Sequence, residues 1–248
     1  MPARVEGQGD DLSRHAVEPL SASCRSGLGM LERQHRETRA LRRHIYGILP
    51  LRRASRIFEP GCGSGLVLRE VSALTGAGLT GMDSDESMLA EARARVPGAR
   101  LIRADFLRAV LPRADLVLLS HVILHVPEPK RFAARLAAAL TPGGLVAVLG
   151  EYDWLAASEE PAEGLLDLLR ASLSSEGLRL ESAGCLDDAF RAGGLRKMAG
   201  GRTRAIPSKP AEDFLSLQIA TMAEGPGPGL HWSCRLAIPL VWGVYLRP

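Results

Sequence analysis

Apolar residues recur first at helical spacing. From Met30, Leu31, Leu41, Ile45 and Ile48 fall on one side of a helix that Pro50 stops. The rhythm then shortens. Arg56 to Glu59 reads as a buried strand running into Pro60-Gly61-Cys62-Gly63-Ser64-Gly65, and a helix follows from Leu66 to Leu74, broken by Gly76 and Gly78. The same unit repeats: a strand over Leu79 to Met82 ends at Asp83, and Ser84 or Asp85 caps a helix over Glu86 to Arg95. Strands over Arg100 to Arg103, Leu116 to Ser120 and Leu145 to Gly150 complete the series, with an Ala-rich helix over Arg131 to Leu140 and a Pro142-Gly143-Gly144 turn before the last strand.

Strands separated by helices imply βαβ units, hence a Rossmann-like α/β fold with a mostly parallel sheet and helices on both faces. Right-handed crossovers bring the carboxyl ends of such strands to one edge, where ligands bind. Glu59, Asp83, Asp105, His121 and Glu151 all fall at such ends. Beyond Glu151 the pattern loosens. It predicts helices near Pro161 to Leu173, Leu186 to Ala192 and Ala211 to Met222, a strand within Leu195 to Ile206, and an antiparallel closing strand over Leu236 to Leu246. Gly225 to Gly229 reads as a loop. The resulting organisation is a flexible tail over residues 1–28 and one domain over 29–248. Within it, 29–50 is a capping helix, 51–151 a cofactor-binding core and 152–248 the substrate side.

Composition narrows the function classes. Hydrophobic residues make up 46% and charged residues 24%, enough for a real core. Aromatic content of 4% argues against extensive base-stacking platforms, and a net charge of +3 implies no polyanionic partner by itself. The positive charge is uneven, however: Arg33, Arg36, Arg39, Arg42, Arg43, Arg52, Arg53 and Arg56 crowd ahead of the first strand. They read as a solvated helix face and basic turn, or else as the rim of an anion-binding mouth. Cys24, Cys62, Cys185 and Cys234 form no CxxC pair, so a reducing cytoplasm is expected and no zinc site. The polar start has no apolar leader core, and Leu236 to Leu246 is too short to span a bilayer.

The glycine loop carries most of the chemistry. Glycines after a strand let the backbone approach a ligand, and the following helix offers free N–H groups to an anion. Gly61, Gly63 and Gly65 spell GxGxG, with Leu66 where the third glycine of a dinucleotide fingerprint belongs. Glu59, two residues before the first glycine, would repel a pyrophosphate but suits a ligand holding an ammonium beside a carboxylate, as in the methionine end of S-adenosylmethionine. Asp83, 22 residues beyond Gly61, is placed to accept from ribose hydroxyls, and Asp105 with Phe106 can take an adenine amino group and its ring. Cys62 reads as a packing residue within the loop.

The run Ile57 to Gly65 resembles the first motif of the class I S-adenosylmethionine-dependent methyltransferases. Gly81-Met82-Asp83-Ser84 with Met88-Leu89 resembles their second, and Ala104-Asp105-Phe106 their adenine-binding segment. His121 to His125 and Leu140 to Gly144 are similar to the fourth- and fifth-strand signatures of the ubiquinone/menaquinone-biosynthesis-like, or type 11, branch. The resemblance covers Arg53 to Glu151. It implies S-adenosylmethionine as cofactor, held by Glu59, Gly61, Cys62, Gly63, Gly65, Asp83, Ser84, Met88, Asp105, Phe106 and His121.

Methyl transfer demands alignment first and a general base only where the nucleophile must lose a proton. His125 is the candidate base, with Glu151 and Tyr152 facing the acceptor. His121 and His125 have no third ligand near in sequence and are not expected to hold a metal. The place after the fourth strand reads Ser120-His121-Val122-Ile123, unlike the segment typical of base-modifying amino-methyltransferases, so a small-molecule acceptor is favoured over nucleic acid. The rival readings are a nicotinamide-dependent oxidoreductase, opposed by Glu59 and Leu66, a non-catalytic methyltransferase-like subunit, and a methyltransferase acting on RNA through the basic N-terminal helix. Acceptor atom and oligomeric state are left open.

Overall fold

The computed structural model describes residues 22–161, 164–207 and 235–248. The expected helix over 211–222 and the loop at 225–229 lie outside them, as does the tail up to residue 21. The helical start resolves into α1 (Ala22–Glu37) and α2 (Arg39–Ile48), parted at Thr38. Residues 22–28, expected in the tail, therefore belong to α1. Thr38 folds its hydroxyl back onto the Gln34 carbonyl at 2.8 Å, the kind of side-chain to backbone competition that favours a break.

The core alternates as the sequence implies: β1 (Arg56–Pro60), α3 (Leu66–Ser72), β2 (Gly78–Asp83), α4 (Glu86–Arg95), β3 (Arg100–Arg103), β4 (Ala114–Leu119), α5 (Pro129–Ala139) and β5 (Leu140–Tyr152). Asp85 caps α4, its side chain accepting from the N–H groups of Ser87 and Met88. The expected turn at Pro142 to Gly144 is instead an irregular stretch within β5, where the pairing with β4 shifts register between Ala114 and Leu116. Then come β6 (Ser158–Glu160), α6 (Leu165–Ser175), α7 (Leu186–Ala192), β7 (Arg196–Arg202), β8 (Ile206–Pro207), β9 (Arg235–Ile238) and β10 (Leu240–Leu246). The single closing strand expected over Leu236 to Leu246 is thus two strands parted at Pro239, which has no N–H to continue a ladder.

The main sheet has seven strands in the order β3-β2-β1-β4-β5-β10-β7, parallel through β5 and antiparallel where β10 meets β5 and β7. Period-two alternation sends neighbouring residues to opposite faces. Phe58, Val117, Val146 and Tyr245 form one row across the sheet and pack beneath α5 and α7 with Phe132, Leu136 and Phe190. Ile57, Leu116 and Leu145 form the next row and pack on the other face with Ile45, Val67, Leu68 and Leu89 of α2, α3 and α4. A three-stranded sheet, β6-β9-β8, packs with α6 as a third cluster around Trp154, Leu169 and Leu236. Chain order reverses between β1 and β4, which opens a crevice at their carboxyl ends.

Candidate active site

A cavity of about 620 Å³ fills that crevice. Its floor is the sheet edge and its cover is α1, whose Met30, Leu31, Gln34 and His35 share one helical face over it, continued by Thr38 at the junction with α2. The loop after β1 is shaped by its own backbone. Gly61 and Cys62 both donate to the Met82 carbonyl, at 2.7 and 3.1 Å, and Gly63 donates to Asp83 Oδ2 at 2.8 Å. Gly61 has φ +66° and a side chain there would strike Val122 at 2.9 Å, so only glycine fits. Gly63, at φ +48°, lines the cavity and has open space where its side chain would be.

Gly65 departs from expectation. It does not line the cavity; its φ is +76°, its N–H is taken by the Cys62 carbonyl at 2.9 Å, and a side chain there would meet Ala92 on α4 at 3.0 Å. It serves helix–helix approach. Cys62 lines the cavity, but its buried Sγ also packs where Gly81 admits no side chain. Burial raises its thiol above the ordinary range, with Glu59 adding to the effect, so it is no nucleophile at neutral pH.

Glu59 is 2% exposed, and its Oε2 has no hydrogen-bond partner. Burial, reinforced by the charge of Asp83, pushes its carboxyl well above the usual range despite the opposing effect of Arg42. An unpartnered buried carboxyl beside the open space at Gly63 suits a cationic amine. Asp83 Oδ1 accepts from the Asp85 N–H at 3.0 Å while Oδ2 holds Gly63, so this acid organises the loop itself. Ser84, Met88, Asp105 and Phe106 line the same cavity. Asp105 Oδ1 accepts from the Leu107 N–H at 2.8 Å, and the Phe106 ring leans on Phe132 with centroids 5.6 Å apart. The chemistry of this set is compatible with S-adenosylmethionine: a buried acid for an amine, room at Gly63 for a carboxylate, a strand-end acid at Asp83 within reach of ribose hydroxyls and an aromatic ring at Phe106.

Beyond the glycine loop stand His121, His125, Glu151 and Tyr152. His121 holds φ +53°, a conformation a non-glycine residue adopts at a cost, and its ring lies 4.8 Å from that of Tyr152. Burial, then the charges of Arg42, His35 and His125, lower its pKa to about 3, so it is neutral. His125 ends the 3-10 turn Ile123–His125 at the mouth, partly open to solvent; partial burial of its ring lowers its pKa, offset in part by the charges of Glu176 and Asp83. Glu151, expected to face the acceptor, is instead engaged by main chain. Its buried Oε1 accepts from Val122 N–H at 2.8 Å and Ile123 N–H at 3.2 Å, which fixes the turn bearing His125. Burial still carries its pKa up to about 7.

The residues that sequence reasoning missed come from outside the strand ends. Gln34 and His35 on α1, Thr38 at its junction with α2, Trp154 after β5, and Leu173, Glu176 and Leu178 around the end of α6 all line the cavity. The face of α1 was detectable as spacing; the rest carry no local signal. The arginine cluster divides. Arg42 is 1% exposed, with Nε on Glu70 Oε2 at 2.7 Å, one terminal nitrogen on Thr38 Oγ1 at 2.5 Å and the other on the His35 carbonyl at 2.7 Å. Arg36, Arg39, Arg43, Arg52 and Arg53 are exposed, as the solvated reading expects.

Comparison with known proteins gives the same site a lineage. Residues 58–148, from β1 to β5, match the family model described as a methyltransferase domain. A trans-aconitate 2-methyltransferase of Methylobacterium nodulans is 30% identical over 236 residues, covering 80% of this chain and 89% of that protein. One from Rhizobium leguminosarum is 35% identical over 130 residues, 49% of this chain and about half (50%) of the relative's length. Among solved structures, the N-methyltransferase NodS of Bradyrhizobium japonicum, in complex with S-adenosyl-L-homocysteine, shares the fold with a TM-score of 0.54 at 13% identity, over 88% of each chain. With the glycine loop inside the matched core and one alignment running nearly the length of both proteins, the chain belongs to the class I S-adenosylmethionine-dependent methyltransferases, in their type 11 branch.

Proposed function

We propose that this chain transfers a methyl group from S-adenosylmethionine to a small-molecule acceptor held between α1, the turn at His125 and the end of α6. The observation that carries the reading is the buried, unpartnered Glu59 Oε2 beside the open face of Gly63. The cofactor supplies a methyl made electrophilic by a sulfonium. The protein's part is alignment and exclusion of water, which can lower a barrier by about 7–11 kcal/mol when the geometry is good. Glu59 and the open space at Gly63 would take the amino-acid end, Asp83 the ribose, and Phe106 the base. With the cofactor bound, the acceptor's lone pair would form the new bond to the methyl carbon as the carbon–sulfur pair left with sulfur. Where the acceptor carries a proton, His125 at the mouth takes it, being neutral and reached by solvent.

The relatives' name supports a carboxylate acceptor as a second reading, for which no base is needed. Unpaired Cys62 and Cys185 are in keeping with a reducing cytoplasm, and no described helix is long and apolar enough to cross a membrane. Calorimetric titration tests the reading. S-adenosylmethionine and its demethylated product are expected to bind at micromolar concentration and a nicotinamide dinucleotide not at all. A folded protein that binds neither sulfur ligand sinks it, and His125→Gln with full turnover removes the base.

A further inference from the structure

The acceptor side of the cavity has a chemical character that its relatives' name does not anticipate. Tyr152, Trp154 and Leu173 belong to the third hydrophobic cluster, with Leu124 and Leu178 packed against it, and all five line the cavity. The rings form a row: His121 to Tyr152 at 4.8 Å, Tyr152 to Trp154 at 5.4 Å. Such a wall offers π faces and aliphatic area to a flat ring. At its mouth stands Glu176, near enough to His125 for its charge to act on the imidazole.

The charges are one-sided. Asp83, Asp85, Asp105 and Glu176 line the cavity with the buried Glu59 and Glu151, which burial draws toward their neutral form, and among the described residues its lining includes no lysine or arginine. Arg42, whose charge reaches His121, is committed on all three guanidinium nitrogens to Glu70, Thr38 and His35. Residues 208–234 contain Lys209 as their sole lysine or arginine, beside Glu212, Asp213 and Glu224. A polycarboxylate entering here meets acids where it needs guanidinium forks, and the repulsion grows as the site dries. A cationic amine meets carboxylates and ring faces, which both attract it.

We propose that the acceptor is a ring-bearing amine, its ring against His121, Tyr152 and Trp154 and its nitrogen toward Glu176, and not a polycarboxylate. The inference rests on the methyl-transfer reading above, because it assigns the other half of the same cavity.

The test separates the two. Protein is first titrated with S-adenosylhomocysteine, then the complex with 2-phenylethylamine, 3-phenylpropionate and trans-aconitate. The amine is expected to bind at least tenfold tighter than either carboxylate. Glu176→Gln is expected to cut that preference about fivefold and Glu176→Lys to erase it, with S-adenosylhomocysteine affinity unchanged in both. Glu176 is exposed, so neither variant disturbs the core. Failure of S-adenosylhomocysteine to bind folded protein brings down the methyl-transfer reading and this inference together. Binding of S-adenosylhomocysteine with equal affinity for the phenyl pair, a carboxylate preference, or no probe bound overturns this inference alone. So does methylation of trans-aconitate, followed by product mass, at a kcat/KM matching that of tyramine.

Discussion

The two walls of the cavity are held by different means. The sheet-edge wall is tied through main chain: Gly61 and Cys62 to the Met82 carbonyl, Gly63 to Asp83, Val122 and Ile123 to Glu151. The helical wall is tied through side chains far apart in sequence: Arg42 to Glu70, and Arg95 to both Glu32 and Ser64. A wall fixed by backbone needs only glycines and strand-end acids at set places. A wall fixed by ion pairs depends on particular partners, and its loss is local until a buried charge is stranded.

Stranding such a charge gives the largest expected effect. Arg42→Ala leaves the half-buried Glu70 with the Tyr46 hydroxyl but without its guanidinium, and since Glu70 keeps some access to solvent the cost is expected at the low end of the about 3–5 kcal/mol of a fully buried pair. Urea unfolding measures it. Replacing both partners, Arg42→Met with Glu70→Leu, is expected to restore most of the loss, since no lone charge remains. A cost below about 1 kcal/mol for Arg42→Ala would break the contrast by showing that the helical wall stands on packing alone.

The sheet-edge wall is probed through Glu151. Its folded pKa of about 7 lies above the usual 4.5 because burial disfavours the charge. Folding therefore favours the protonated carboxyl. The stability this confers is complete below about pH 4.5 and is lost as pH rises through 7. At about 1.4 kcal/mol per pH unit, the loss across that interval is roughly 3 kcal/mol. Glu151→Gln keeps an oxygen for Val122 and Ile123 but does not titrate, so the slope in unfolding free energy between those pH values should flatten. An unchanged slope would assign it to another group.

The same contrast explains what the chain disclosed in advance. Helix Glu86–Arg95 and strand Arg100–Arg103 occur where local pattern and the Asp85 cap put them. Glu59, Gly61, Gly63, Asp83, Asp105 and His121 converge on one cavity because strand ends in a parallel sheet must. Gly65 packs against Ala92 outside the cavity lining, and a glycine needed there and one needed against a ligand look alike in sequence. Glu151 follows the strand-end rule yet gives its carboxylate to a neighbouring turn. Arg42 looked like its exposed neighbours, since its partner Glu70 lies 28 residues away. Trp154 and Glu176 reach the cavity by tertiary packing alone.

Asp83 sharpens the comparison from the ligand's side. Asp83→Ala removes the acceptor for the Gly63 and Asp85 N–H groups as well as the proposed ribose contact. A charged hydrogen bond contributes about 1.5–3 kcal/mol, so calorimetry should show S-adenosylmethionine affinity falling by about 30-fold. Because Gly61 and Cys62 keep the Met82 carbonyl, the melting midpoint should move little. A large loss of stability instead would mean that the loop has no backbone frame independent of Asp83.

The smallest expected effect lies where the walls meet. Arg95 on α4 donates to Ser64 Oγ at 2.9 Å and to the Ser64 carbonyl at 3.1 Å, and its other terminal nitrogen pairs with Glu32 of α1 at 3.2 Å. One guanidinium thus joins the covering helix to the glycine loop. Glu32 is 44% exposed and the pair is solvent-screened, which keeps its worth near 1 kcal/mol. Arg95→Ala should therefore weaken S-adenosylmethionine about fivefold, chiefly through faster dissociation, because α1 opens more often while the loop keeps its shape. Glu32→Ala should reproduce part of the faster release without touching Ser64. If Arg95→Ala slows association and leaves dissociation alone, its contact with Ser64 shapes the loop before binding, and the two walls act as one.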